Sequence, residues 1–249
     1  MKTRAFTLLE LLVVVAVIAV FVTVIGAALG AGRTKSDTAK CIGNLRLLVS
    51  ANLTYAADHG GQFCPAQEPS NLVRWHGVRQ SVLSEFDATK GPLSPYLGED
   101  RRTKLCPALG RVLEGIKSFE SGTGGYGYNA AYIGGTPLDP FTPARLASLQ
   151  SPSKVVMFAD TAFPRMNGLQ EYAYAEPWQW MDYKGRLRGK LDPSVHFRHS
   201  GCANVGWCDG HVSTEAHTQL GGMNRYRGDS KYWKVGWFGP SEENGFWRP

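Results

Sequence analysis

No lysine- or arginine-rich run interrupts the chain, and charged side chains make up only 19% of its 249 residues. That excludes the continuous basic arm with which many proteins hold nucleic acid. Low charge does not mean disorder here, because 43% of the residues are hydrophobic, enough for a packed core. CxxC pairs are missing, which argues against a structural zinc site of the paired-thiol kind. GxSxG, HExxH and GxxxxGK[ST] are missing as well, so no activated serine, metalloprotease helix or phosphate-cradling loop is written in the sequence. The glycine-rich Gly124-Gly125-Tyr126-Gly127-Tyr128-Asn129 has no clear helix after it and reads as a tight loop or a closely packed strand. These absences lead to the expectation of a protein that is not an enzyme and carries no cofactor.

What is present starts at the N-terminus. The stretch Phe6 to Ala31 is apolar, and the 22 residues between Glu10 and Arg33 carry no formal charge. As a helix that run is about 33 Å long, enough to cross a bilayer. Nothing else in the sequence is comparably apolar, so the remainder should form a domain on one side of a membrane. A plain signal-anchor helix fits the length, and so does a secretory signal cut near Ala28-Leu29-Gly30 or Ala31. Neither accounts for Glu10, an acid inside the apolar block, where a carboxylate needs a partner. Removal of Met1–Ala5 would give Phe6 a new ammonium group. That group could pair with Glu10 of a neighbouring chain, and the helix N-terminus would favour the same negative charge.

These residues resemble the N-terminal cleavage and methylation signal of type IV prepilins and type II secretion pseudopilins. The resemblance implies a leader at residues 1–5, cleavage between Ala5 and Phe6 by a prepilin peptidase, methylation of Phe6, and assembly guided by Glu10. Ala5 departs from the family, which has glycine before the cut. Residues 6–32 would then be a transmembrane and assembly helix. The resemblance also implies a single pass of the inner membrane, the leader in the cytoplasm and the head outside. Charge alone orients the helix weakly, since Lys2 and Arg4 precede it and Arg33 and Lys35 follow it.

Residues 33–249 would form the head. A helical stripe, Ile42, Leu45, Val49, Leu53 and Ala56, runs through residues 33–59, and Gly60-Gly61 stops it. Gly26, Gly30 and Gly32 are expected to loosen the helix where it leaves the membrane. A short helix is expected over Val78–Phe86. Lys154–Asp160 reads as a buried strand, and Phe163–Leu191 as an extended surface excursion. A sheet region is placed at 124–215. An aromatic tail at 221–249 either wraps onto the head or presents aromatic surface. The expected class is α+β: a long N-terminal helix, its first half transmembrane, packed on an antiparallel sheet, which is also the pilin-like architecture the resemblance implies.

The other informative stretch is His196–Val212. Asp209-Gly210 predicts a two-residue type I′ hairpin, with Ala203, Val205 and Trp207 on one side of the strand before it. Nine residues separate His199 from Asp209-Gly210, and this resembles the H-X9-DG motif near the C-terminus of a family of prepilin-like proteins. His196, His199, Asp209 and His211, joined by Asp160 across a sheet, are candidate transition-metal ligands. The other use of His199 and Asp209 is structural, in holding the turn backbone.

Five cysteines leave at least one unpaired. Cys202 and Cys208 share a strand and stand about 20 Å apart when extended, too far for a bond. Cys64 with Cys106 is the expected disulfide, since both precede proline. The net charge of +6 suits an acidic surface such as anionic lipid, acidic polysaccharide or nucleic acid, or is simply a basic soluble surface. Aromatics beside Lys184–Lys190 could stack on sugars or bases, or be buried in the head. Nucleic acid is not among the expected partners. The expected function is that of a structural subunit of a type II secretion pseudopilus or type IV pilus-like envelope assembly. Its partners would be like subunits, the prepilin peptidase, the secretion platform and the bilayer. The alternative is a membrane-tethered module for polysaccharide or DNA that never polymerises.

Overall fold

A computed structural model describes residues 7–113, 118 and 120–249. Ala5 and Phe6, and with them the leader, lie outside the described residues. The chain begins with one helix, α1 (Leu8–Asp58), of 51 residues. It runs unbroken past Gly26, Gly30 and Gly32, where loosening was expected. Isolated glycines cost about 1 kcal/mol each in a helix, too little to interrupt a run of this length. Thr7 caps the start, and the helix ends where Gly60 and Gly61 take φ of 62° and 84°.

The two halves of α1 differ in what they touch. From Leu8 to Ser36 every side chain described is exposed, and Leu8–Gly26 has a mean hydropathy of 3.1 with none of it buried. From Asp37 onward Asp37, Cys41, Leu45, Leu48, Val49, Asn52 and Ala56 are buried, at steps of three and four. The expected stripe is thus rotated: Ile42 and Leu53 lie at its edge, and Cys41, Leu48 and Asn52 lie inside it.

The head is built of short strands. A two-residue hairpin, β1 (Val73–Arg74) and β2 (Gly77–Val78), is followed by a short helix, α2 (Pro107–Gly110). Then come β3 (Tyr126–Tyr128), β4 (Val156–Asp160), the hairpin β5 (Phe163–Arg165) and β6 (Gly168–Gln170), and the hairpin β7 (Gln179–Met181) and β8 (Leu187–Lys190). The last strands are β9 (Val195–His196), β10 (Cys202–Trp207), β11 (Val212–Ala216), β12 (Gln219–Leu220) and β13 (Val235–Trp237). The central sheet is antiparallel in the order β11-β10-β4-β3, and a second sheet runs β12-β13-β9. The class is α+β, a long apolar helix followed by antiparallel sheets, consistent with a pilin-like fold.

Both faces of the central sheet are covered, which explains why every residue of β4 is buried. On one face Met157 and Phe158 meet Leu45, Leu48 and Val49 of α1. Helix and strand approach so closely that a Cβ at Gly206 would lie 2.5 Å from Val49 Cγ2. On the other face Val156, Ala159, Ala203, Val205 and Trp207 pack against Trp178, Trp237, Phe238 and Trp247. The aromatic tail therefore wraps onto the head, held by Asn129 Nδ2 donating to the Trp247 carbonyl at 2.8 Å.

Several local expectations are corrected. Val78–Phe86 forms no helix; Arg79 donates to the carbonyls of Asn71 and Val82, and Leu83 is exposed. Phe163–Leu191 is two hairpins rather than a surface excursion. Its Trp178 is buried and stacked on Trp237 at 5.0 Å, while Trp180 and Tyr183 stay outside. The type I′ turn is also in a different place. Only Gly210 of the Asp209-Gly210 pair has positive φ, and Cys208–His211 make a longer connection in which Asp209 Oδ1 accepts from His211 N at 3.1 Å. The two consecutive positive φ values belong to Ser200 (54°) and Gly201 (85°), with His199 and Cys202 exchanging backbone hydrogen bonds of 2.9 and 3.0 Å. That is the hairpin turn between β9 and β10.

Candidate functional site

The Ser200-Gly201 turn places Arg198 and His199 against α1, and a buried cluster forms around them. Arg198 donates to Asp160 Oδ1 at 2.7 Å, the Gly125 carbonyl at 2.7 Å, the Thr161 carbonyl at 3.1 Å and Cys106 Sγ at 3.3 Å. Asp160, at the end of β4, accepts at its other oxygen from Asn204 N and Nδ2 of β10, at 2.7 and 3.0 Å. His199 Nε2 lies 3.3 Å from that oxygen and 3.7 Å from Cys106 Sγ. His199 Nδ1 lies 3.1 Å from Thr38 Oγ1 on α1. Cys106 comes from the N-cap of α2 and Cys41 from the buried stripe of α1.

The charges in this cluster compensate each other. Burial would push the Asp160 carboxyl up, but the Arg198 charge and the His199 hydrogen bond outweigh it and hold it below the usual range. Burial would depress His199, yet its hydrogen bonds to Asp160 and Cys106 raise it to about 9. Of the two thiols, Cys106 is the one held down, by its hydrogen bond from Cys41 and then by Arg198 and His199 working against burial. Cys41 is pushed up, first by the same hydrogen bond and then by burial. His196 is kept neutral by burial and by the nearby Arg198 charge. The Arg198 guanidinium thus faces the Asp160 carboxylate, and the shifts of His199 upward and Cys106 downward both favour charge at their contact.

The candidate ligands separate into two places. His199 and Asp160 meet; His196 Nδ1 is 3.4 Å from Arg198 Nη1 beside them. Asp209 and His211 instead pair with each other at 2.6 Å at the exposed far end of β10. The five-residue metal set is therefore not assembled, because a six-residue strand, about 20 Å long, stands between its halves. Among the described residues, the group whose ligand atoms lie within 4.8 Å of one another is Cys41, Cys106 and His199. The expected Cys64–Cys106 disulfide is not formed: all five cysteines are free, Cys64 Sγ hydrogen-bonds the Pro65 carbonyl, and the neighbour of Cys106 is Cys41. His199 does not serve the Asp209-Gly210 turn either; its side chain joins the sheet to α1.

Glu10 has a partner within its own chain. Its Oε2 accepts from Thr7 N at 2.8 Å and Thr7 Oγ1 at 2.9 Å, while Glu10 N donates to Thr7 Oγ1 at 3.2 Å. This is a capping box, and Thr7-Leu8-Leu9-Glu10 carries its sequence pattern. Elsewhere on the head a cavity of about 240 Å³ is lined by Tyr172, Tyr174, Glu176 and Trp180. The neighbouring basic hairpin is partly self-neutralised, since Arg186 and Arg188 both donate to Asp182 Oδ2, at 2.9 and 3.0 Å.

Residues 1–26 match the family model described as the prokaryotic N-terminal methylation motif. No curated protein sequence and no solved structure matches the chain. The N-terminal signal is prepilin-like and supports a type IV pilin- or pseudopilin-like protein. An apolar helix carrying this motif fits an inner-membrane anchor.

Proposed function

We propose that the chain is a non-enzymatic structural subunit of a type II secretion pseudopilus or type IV pilus-like assembly, made as a precursor and cut between Ala5 and Phe6 by a prepilin peptidase. The observation that carries this is the coincidence of the methylation motif at residues 1–26 with the half of α1 whose described side chains are all exposed. A bare apolar helix of this length has two environments open to it, lipid before assembly and other such helices afterwards. The methylated Phe6 amine of one subunit would meet the Glu10 carboxylate of the next, while Thr7 holds that carboxylate in place. The head faces the extracytoplasmic side, and the inner-membrane secretion platform recruits the subunit. The buried cluster supports a structural role, because its charges are matched internally and His199 is 3% exposed.

The test is the mature N-terminus and its use. Mass spectrometry of the membrane-extracted protein is expected to find methylated Phe6, and Glu10→Ala is expected to remove the subunit from sheared filaments. Retention of Met1, or undiminished filament incorporation of Glu10→Ala, refutes the proposal.

The aromatic cavity beside Trp180 favours a second reading, a membrane-tethered module that binds polysaccharide and does not polymerise. It predicts that Glu10→Ala has no effect while Trp180→Ala loses sugar binding.

A further inference from the structure

We propose that Cys41, Cys106 and His199 form a binding site for one thiophilic divalent cation, with Zn²⁺ as the type. The inference is independent of the assembly reading and stands or falls without it.

The donor set is two sulfurs and an imidazole nitrogen, which is the chemistry of zinc. All three residues are buried, and their ligand atoms lie within 4.8 Å of one another. The spacing suits a single ion. With Zn–S of about 2.3 Å and Zn–N of about 2.0–2.1 Å, two corners of a tetrahedron are roughly 3.5 Å apart for sulfur and nitrogen. The observed separation of Cys106 Sγ from His199 Nε2 is 3.7 Å. Asp160 Oδ2 lies 3.3 Å from His199 Nε2 but stands outside the trio of mutually close ligand atoms, so it serves as a buried counter-charge beside the site.

The surroundings are those of a ligated imidazole. A metal-bound histidine nearly always gives its other ring nitrogen to a fixed partner. Here Nδ1 faces Thr38 Oγ1 at 3.1 Å, which leaves Nε2 turned toward the sulfur of Cys106. Arg198 supports the site from outside, donating to Cys106 Sγ at 3.3 Å and Asp160 Oδ1 at 2.7 Å. The charges close as well. Two thiolates and a carboxylate supply three negative charges, and the cation with Arg198 supplies three positive ones. Binding needs both sulfurs as thiolates and the imidazole neutral, so any protons on these three groups leave to solvent, and no electrons move. The three ligands come from α1, the start of α2 and the β9–β10 turn, so the ion would fasten the anchor helix to the head at one point.

The experiment uses the full chain in detergent, purified under reducing conditions, stripped of metal, and given Zn²⁺ or Co²⁺ alone. One equivalent of Zn²⁺ is expected. Co²⁺ should give thiolate-to-metal charge-transfer absorption and the visible bands of a four-coordinate ion. Cys41→Ser and Cys106→Ser should lose the charge-transfer absorption in part or whole, and Cys202→Ser should keep it. Thr38→Val removes only the outer partner and should weaken Zn²⁺ affinity about 10- to 100-fold. Because this variant keeps all three ligands, it tests the site even if the cysteine variants do not fold. Absence of stoichiometric metal in the reduced wild-type chain overturns the proposal. Equal binding by the ligand variants also overturns it, by showing an adventitious ion only. So does recovery of the native protein with Cys41 and Cys106 joined as a disulfide, read as a linked peptide in a non-reducing digest.

Discussion

Replacing Arg198 by methionine gives the sharpest test of the buried cluster. The change preserves much of the aliphatic bulk and removes one charge and five hydrogen bonds. Asp160, fully buried, then keeps only the two donors of Asn204 and the His199 contact at 3.3 Å. Breaking a buried ion pair from one side costs about 3–5 kcal/mol, because the remaining charge stays out of water without its counter-ion. Set against a whole-domain stability of about 5–15 kcal/mol, that loss is large enough to measure and small enough to leave a folded population. Urea titration of the full chain in detergent, followed by tryptophan fluorescence, reads it. The exposed half of α1 carries no tryptophan, so the signal belongs to the head. Asp160→Asn should be similarly costly, and the double variant should cost less than the sum by at least about 1.5 kcal/mol, since neither charge is then stranded. A loss below about 1 kcal/mol for Arg198→Met, or strict additivity in the cycle, refutes the view that this pair is buried and mutually dependent.

Two further outcomes are expected. Gly206→Ala puts a methyl 2.5 Å from Val49 Cγ2 and should destabilise the head by about 1–3 kcal/mol, partly relieved by Val49→Ala in the same urea assay. His76 is buried, its ring nitrogens have no partner among the described residues, and burial together with the Arg74 and Arg79 charges lowers it to about 3. The unfolded chain takes up that proton near the ordinary histidine value while the folded chain refuses it. Stability therefore falls as pH drops from about 6.5 toward 3, by up to about 1.4 kcal/mol per pH unit. His76→Phe should flatten that acid limb, and an unchanged limb would refute the buried neutral imidazole.

The exposed apolar half of α1 is legible because its requirement is written in consecutive residues. The same holds for the buried strand Val156–Asp160, whose side chains are covered on both sides. The pattern Thr7-Leu8-Leu9-Glu10 also announces the local partner of the acid, although the apolar neighbours of Glu10 draw attention to an intermolecular one. The cluster was not legible. Cys41, Cys106, Asp160 and His199 come from four separate segments and share no spacing; packing alone joins them. Nearness in sequence was misleading for Asp209 and His211, because an extended strand carries them away from His199. The position of the hairpin turn is ambiguous in the sequence for a related reason. Ser200-Gly201 and Asp209-Gly210 both permit positive φ, and only the first pair adopts it at both positions.

A single rod of 51 residues is about 77 Å from end to end. Among the described residues its grip on the rest of the protein begins at Asp37 and Thr38, so roughly the first 43 Å projects as a handle. A handle without a hinge transmits torque. A twist or tug imposed on the tip would reach the head through Thr38 and Cys41, where the rod is clasped.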